Sequence, residues 1–501
     1  MSMMQMLLGA GGAPAESYWW RYMSGGGYGK LTVYGNNLAV DGNGNVYAVG
    51  MQTTSATNWW TKLDKDGTTE ISKTAGGNSG LSGILTDSSD NVYIVDSMAK
   101  NMTGLGGNAT NFYVTKYNSS MVTQWETEAG SDPSTYGGGG NYKRFDTPFA
   151  SATNGTLTYI GGYWGLGDTV GKNAGLVCLD SSGDIVDNSG TKWAHWMYPG
   201  DGSQGDTTYI YGIAIDSSGG CFYAGQSRYA GYDSAMIGYW RNADTYGDTS
   251  PNWHKNLKRD NTANTQCYFQ DCAVDSSDNV IAVGRISLGG TWNCMIQKYN
   301  SSGTLQWEDT LGGGFPTRFE CVAIDSDDNI YVGGWSERTD HGVSGGYTIP
   351  SSNTITKYNS SGTLQWMRVF SMDGGTESEG VKHIEVVGDA IYCGLYERTS
   401  EFPNNNAAAF ILKVPTDGSL TGAYPGDDGD AADGTLIYGT GVLGSGGTEH
   451  ATAAQYATAA QWPMQVQTAA TWGQVTTTQP SPASYSFSDY TPSDVSGSTI
   501  E

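Results

Sequence analysis

The chain has 501 residues, of which 73 are glycine and only 15% are charged. Acidic residues outnumber basic ones 50 to 25, a formal net charge of −25. No segment gathers the stripe of Lys and Arg that a nucleic-acid partner requires, so that class is excluded. Glycine without a G-X-Y period, together with 32 Tyr and 16 Trp, points to many short strands joined by tight turns, not to collagen or helices.

Residues 1–16 are a short N-terminal peptide, MSMMQMLLGAGGAPAE. Ala13-Pro14-Ala15 resembles a leader cleavage site, but no Lys or Arg precedes Arg21 and Gln5 interrupts the apolar run, so the peptide is read as an anchor. No apolar stretch reaches bilayer-spanning length, and no membrane partner is expected.

Residues 17–427 repeat themselves. One unit reads apolar-apolar-x-Asp, a polar turn, then N-V-Y-x-V-G, as in LAVDGNGNVYAVG (38–50) and CAVDSSDNVIAVG (272–284). Aligned on the final residue, the copies end at Gly50, Asp96, Gly161, Gly225, Gly284, Gly334 and Gly394. A second unit follows each, clearest as IQKYNSSGTLQWEDT (296–310) and ITKYNSSGTLQWMRV (355–369). Both units are strand–turn–strand, with alternating apolar residues around Asp, Asn, Ser and Gly. Four strands repeated seven times predict an all-β fold, a seven-bladed β-propeller of four-stranded antiparallel blades. The stretch Tyr18-Trp19-Trp20-Arg21-Tyr22 reads as a fourth strand standing before the first full repeat. It is expected to pair with the last blade and close the ring. A competing strand near Leu420–Tyr424 is then displaced, or closes the blade itself.

One tryptophan recurs on the fourth strand of most blades: Trp125, Trp193, Trp253, Trp307 and Trp366, with Trp19 or Trp20 in the N-terminal copy. A position repeated this way is read as packing between sheets. The seven cysteines lie singly in strands without C-x-x-C, and read as buried thiols suited to a reducing compartment. Asp41, Asn43 and Asn45, and likewise Asp325, Asp327 and Asn329, alternate oxygen side chains as a calcium loop does. Neither set has a bidentate Glu at EF-hand spacing, and Asp heads five of the seven turns, where it accepts backbone N–H bonds. The turn reading is preferred, with Ca2+ as the alternative; no other cofactor is expected.

Binding residues are sought where the copies differ. Past the second strand lie Arg228, Arg285, Arg338 and Arg398, with Tyr163, Trp164, Trp335 and Tyr396 beside them. Arginine forks and aromatic rings together suit a glycan or a protein surface. Five scattered histidines and the lack of H-E-x-x-H, G-x-S-x-G or a P-loop give no catalytic residues, and the expectation is a non-enzyme.

Beyond residue 427 the composition changes to DDGDAADG, ATAAQYATAAQW (451–462) and a Thr/Pro/Ser-rich end. Residues 428–501 are read as an extended C-terminal arm, ordered by a partner because its own apolar surface is small.

The N-V-Y-x-V-G and K-Y-N-S-S-G-T-L-Q-W units resemble the SBBP β-propeller repeat family across about residues 17–427, which implies the fold and little about function. The opening Met1-Ser2-Met3-Met4-Gln5-Met6 and the acidic Gly/Thr/Asn-rich composition resemble structural proteins of marine phages, notably cyanophages. That likeness implies a virion protein (tail, appendage or capsid decoration), assembled in the host cytoplasm within a symmetric oligomer. The N-terminal peptide and the arm would attach it to other virion proteins, and the propeller would be a spacer or host-surface adhesin. The alternatives are an extracellular or cell-envelope adhesive propeller of a bacterium and a polysaccharide-acting enzyme.

Overall fold

A computed structural model describes residues 18–24, 28–31, 36–52, 58–75, 79–100, 109–131, 144–165, 172–188, 191–199, 207–229, 232–243, 251–257, 266–288, 290–312, 317–337, 352–372, 375–399, 407–420 and 422–425. Five strands of the arm, 435–440, 464–468, 472–477, 487–489 and 494–500, are also described.

The described part is all-β, and the seven blades follow from the repeat. Blade 5 shows the plan: Cys267–Val274, Val280–Leu288, Thr291–Tyr299 and Leu305–Leu311 form an antiparallel sheet in chain order. Blades 4 and 6 are built alike, from Thr207–Ile215 through Trp253–Leu257 and from Thr317–Ile324 through Leu364–Met372. The first strands of neighbouring blades touch one another in an unbroken ring, from Leu38–Val40 round to Gly375–Val387 and back, and so surround the axis.

An isolated four-stranded sheet leaves two apolar faces in water. Here seven separate apolar clusters, one at each junction between neighbouring blades, bury those faces. Closure comes from the N-terminal strand. Tyr18–Ser24 pairs antiparallel with Ala407–Pro415, Trp19 opposite Lys413 and Trp20 opposite Leu412, as the fourth strand of blade 7. Strand alternation sends Trp20 into the cluster against blade 6 and Trp19 into the cluster against blade 1. The competing strand is displaced. Gly422–Pro425 pairs with Thr435–Thr440, which adds to the outer strand of blade 6.

The two turns of each blade explain the Asp-rich sequence. Asp275 accepts the N–H of Ser277 and of Asn279 at 2.9 Å each, which builds its turn. The later Asp of the same turn serves the neighbouring blade. Asp278 accepts Ser217 N–H and O–H at 2.8 and 2.7 Å, and Asp328 accepts Ser276 N–H and O–H at 2.9 and 2.7 Å. Both hold positive φ, 58° and 60°, a conformation Asp tolerates. Thus D-S-S-D-N is a turn and an inter-blade clip at once.

Two alignment positions need correction. A bulge on the first strand brings the carbonyl of Tyr268 against the Cα of Gly284, so close that a Cβ has no room. By register the equivalents are Gly162 in blade 3 and Leu395 in blade 7, not Gly161 and Gly394. The doubled Gly161-Gly162 hid the first offset, and the replacement of the second glycine by Leu395 hid the other.

The arm is itself part of the sheet system. Its strands pair antiparallel with the outer strands of blade 6 (Thr435–Thr440), blade 3 (Met464–Thr468), blade 2 (Trp472–Thr477), blade 1 (Phe487–Asp489) and blade 7 (Asp494–Ile500). It therefore runs round the rim against the direction of the blades, covering edges that would otherwise expose unpaired backbone groups. The segment 451–462 and the peptide 1–16 lie outside the described residues.

Candidate binding site at the axial mouth

Each first strand has a sheet neighbour on one side only and faces the axis with the other, except that in blade 3 the start of Arg144–Thr153 also pairs with Ala109–Tyr117. A bulge there inserts one extra residue and re-aims its side chain. The extra residues are Ser82, Phe149, Tyr211, Gln270, Glu320 and Lys382 in blades 2 to 7. They meet across blade boundaries: Phe149 and Tyr211 have ring centroids 5.6 Å apart, and Lys382 Nζ lies 3.5 Å from Glu320.

The ring is polarised. Blades 3 and 4 supply an aromatic sector in which Tyr209 lies 5.7 Å from Tyr163 and stacks on Tyr211 at 5.7 Å. Blades 5 to 7 supply charge. Arg285 stands directly across the strand pair from Tyr268, and its guanidinium lies 5.0 Å from the Tyr268 ring and 4.6 Å from that of Trp292. Blade 6 repeats the pair with the partners exchanged: Arg318 stands across from Trp335, 4.8 Å from its ring. Glu320 pairs with Arg318 and Lys382. Burial pushes the Glu320 carboxyl up, but the charges of Lys382, Arg318 and Arg285 outweigh it and hold it below the usual range. One residue past its bulge, Asp271 accepts the N–H of Val322 at 2.9 Å and of Cys272 at 2.8 Å. Burial lifts its carboxyl to about 6, against the opposing pull of nearby His383.

Of the residues singled out by sequence, Tyr163, Arg285, Trp335 and Tyr396 share one register position on the second strand. The structure thus gathers Tyr163, Arg285 and Trp335 at the mouth. Arg228 is further along its strand, about half exposed, 3.8 Å from Asp233. Arg338 lies outside the described residues, as do the side chains of Trp164, Tyr396 and Arg398. Tyr209, Tyr211, Tyr268, Trp292, Arg318, Glu320 and Lys382 were missed. The repeat unit runs from the apolar-x-Asp end of the first strand to the glycine of the second, and these residues lie before or after it.

The calcium candidates are engaged in their turns. Asp41 accepts Asn43 and Asn45 N–H through Oδ1, and Asn45 Nδ2 and Tyr47 O–H through Oδ2. Asp325 is bonded in the same way by Asp327, Asn329 and Tyr331. Among the described residues no three His, Cys, Asp or Glu side chains converge as a metal cluster. All seven cysteines are buried as thiols, with no disulfide among the described residues.

The family model of the SBBP β-propeller repeat matches residues 19–51. That stretch is similar to an SBBP unit. The matched SBBP unit opens on the fourth strand of one blade and ends on the second strand of the next, so repeat and blade are out of phase. No curated protein sequence matches the chain. Among solved structures, Sqt1 from Chaetomium thermophilum is 11% identical, over 78% of this chain and 97% of its own, with a TM-score of 0.39. The polysaccharide lyase Uly1 is 9% identical over 83% and 96%, TM-score 0.36. An ulvan lyase of family PL25 is 9% identical over 79% and 94%, TM-score 0.41. At this level no residue role or substrate passes to the present propeller. The expectation of a non-enzyme is nevertheless withdrawn, because the structural neighbours include polysaccharide lyases, so the missing linear motifs do not exclude catalysis. The likeness of the flanks to marine phage proteins has no counterpart in these comparisons.

Proposed function

We propose that the axial mouth binds a glycan chain, and that the protein serves host-surface recognition on a phage particle. The observation behind this reading is the pair of arginine–aromatic couples at equivalent register positions on adjacent blades, Arg285 with Tyr268 and Arg318 with Trp335, beside the tyrosines of blades 3 and 4. Flat rings take sugar faces and guanidinium forks take sugar oxygens, each on a rigid strand. The virion setting comes from the flanks, and occurrence of the coding sequence outside any capsid or tail gene cluster favours a bacterial envelope instead. The test is retention on immobilised host polysaccharides. Wild type is expected to bind, and Trp335→Ala and Tyr163→Ala to weaken binding about tenfold each, in line with about 1–1.5 kcal/mol for an aromatic contact. No retention on any polysaccharide ends the glycan reading.

A second reading, a polysaccharide-acting enzyme, is favoured by Asp271. A carboxyl lifted to about 6 beside the mouth suits proton transfer near neutral pH. Release of reducing ends or unsaturated products from the bound polymer selects this reading; an unchanged polymer rejects it.

A further inference from the structure

Arg285 differs from the other cations of the mouth. Glu320 is taken by Arg318 and Lys382. Arg285 has no ion pair or hydrogen bond among the described residues, and its Nε is shut away without an acceptor. Two aromatic rings nevertheless hold its guanidinium in place, at 4.6 and 5.0 Å. Tyr268 comes from directly across the strand pair, and Trp292 stands opposite Ser287, two residues along from Arg285. Glu320 acts on Arg285 only through its field, without a direct ion pair, and burying part of a guanidinium whose Nε has no acceptor is costly. An immobilised, unpaired fork of donors matches a planar or tetrahedral oxyanion.

We infer that the mouth takes an anionic glycan, with a uronate carboxylate or sulfate ester seated on the fork of Arg285 and the sugar ring lying toward the neighbouring aromatic rings. This rests on the glycan reading above and adds the substrate class. Arg318 and Lys382 share the one carboxylate of Glu320 and are held by it at the rim, which leaves Arg285 as the cation without a direct partner. Because the whole chain is strongly acidic, a polyanion is repelled at long range and held only at this spot. Salt near 0.1 M, with a Debye length of about 10 Å, screens the repulsion more than the direct contact. Binding therefore strengthens or holds steady as salt rises from low values, opposite to the loss seen when a basic surface collects polyanions.

The experiment is affinity electrophoresis of the full chain in gels holding polygalacturonate, dextran sulfate or neutral dextran, at about 20 and 150 mM salt. Wild type is expected to be retarded by one or both acidic polymers, at least tenfold more strongly than by dextran. Arg285→Gln is expected to lose at least tenfold, and Arg285→Lys to lose most of that, because a point charge does not replace the fork. Trp292→Ala frees the guanidinium and falls between. Arg228→Gln, outside the cluster, keeps wild-type retardation. Polygalacturonate against dextran sulfate separates carboxylate from sulfate recognition. Equal retardation by dextran, or an Arg285→Gln variant with unchanged melting temperature and unchanged binding, overturns the inference while leaving glycan binding standing. No retardation by any of the three, together with no retention on host polysaccharides, brings down both.

Discussion

Trp19 of the N-terminal strand lies flat on Gly67 in the last turn of blade 1, and its indole Nε1 donates to the Lys65 carbonyl at 3.0 Å. The ring-on-glycine contact recurs round the ring, Trp125 on Gly183, Trp253 on Gly303, Trp307 on Gly362 and Trp366 on Gly418, and the indole bond recurs at Trp125 and Trp253. In each, the glycine has positive φ and a Cβ there would fall within 3 Å of the indole. Two neighbouring blades are thus joined through a site that accepts only glycine. At the junction of blades 1 and 2, Ile71 and Met121 both pack against the apolar cluster, and Trp193 packs instead on Trp240.

Because Trp19 stands on the strand that closes the ring, its loss is expected to cost more than the same change at an interior junction. Trp19→Ala should lose about 3–5 kcal/mol, with Trp253→Ala at the lower end of that range or below. Gly67→Ala, which adds strain at φ 80° and a clash with the indole, should lose about 2–4 kcal/mol. Urea denaturation measures all three. Equal losses at Trp19 and Trp253 would mean that closure is no more sensitive than any other junction.

The last strand of the chain, Asp494–Ile500, pairs with Tyr18–Ser24 on the side away from Ala407–Pro415. Removing residues 494–501 turns the closing strand into an edge. Hydrogen exchange of amides in residues 19–23 should accelerate at least tenfold, while the blade 5 strands keep their protection. Unaltered exchange in the closing strand would refute a clamping role for the arm.

Asp271 gives a pH signature. Its carboxyl is lifted by burial to about 6 in the fold, against 3.8 ordinarily. Between these values the folded chain holds a proton that the unfolded chain has released, so this group lowers stability as pH rises through 4 to 6 and its penalty is full above that. Asp271→Asn removes the titration. The variant loses one of the two N–H bonds at any pH, about 1 kcal/mol. Relative to wild type it should gain up to about 3 kcal/mol between pH 4 and pH 7. Thermal melts of both proteins across that range check the slope; a difference independent of pH rejects the lifted carboxyl.

The number of blades and their four-stranded make-up were legible in the sequence, as were the two candidates for the closing strand, between which only the structure decided. They depend on local spacing: apolar alternation, turn residues at fixed offsets and one tryptophan per copy report what each segment needs from an adjacent sheet. The extra strand at Tyr18–Ser24 announced itself because it preceded a complete set. Arg285 and Trp335 were within reach for the same reason, as each directly follows the shared glycine, while Tyr163 stands two residues past Gly161 and takes the same position only once register puts Gly162 there.

What depends on the third dimension was not legible. Glu320 meets Lys382 and Phe149 meets Tyr211 because bulges on separate strands turn inward at the axis, and a bulge changes register by one residue without a composition of its own. The path of the arm was equally silent. Strand addition at an outer edge runs through backbone hydrogen bonds, which any polar segment such as Met464–Thr468 or Trp472–Thr477 can make. Side-chain pattern therefore determined the blades, while backbone geometry and ring closure decided which residues share the mouth and where the chain ends.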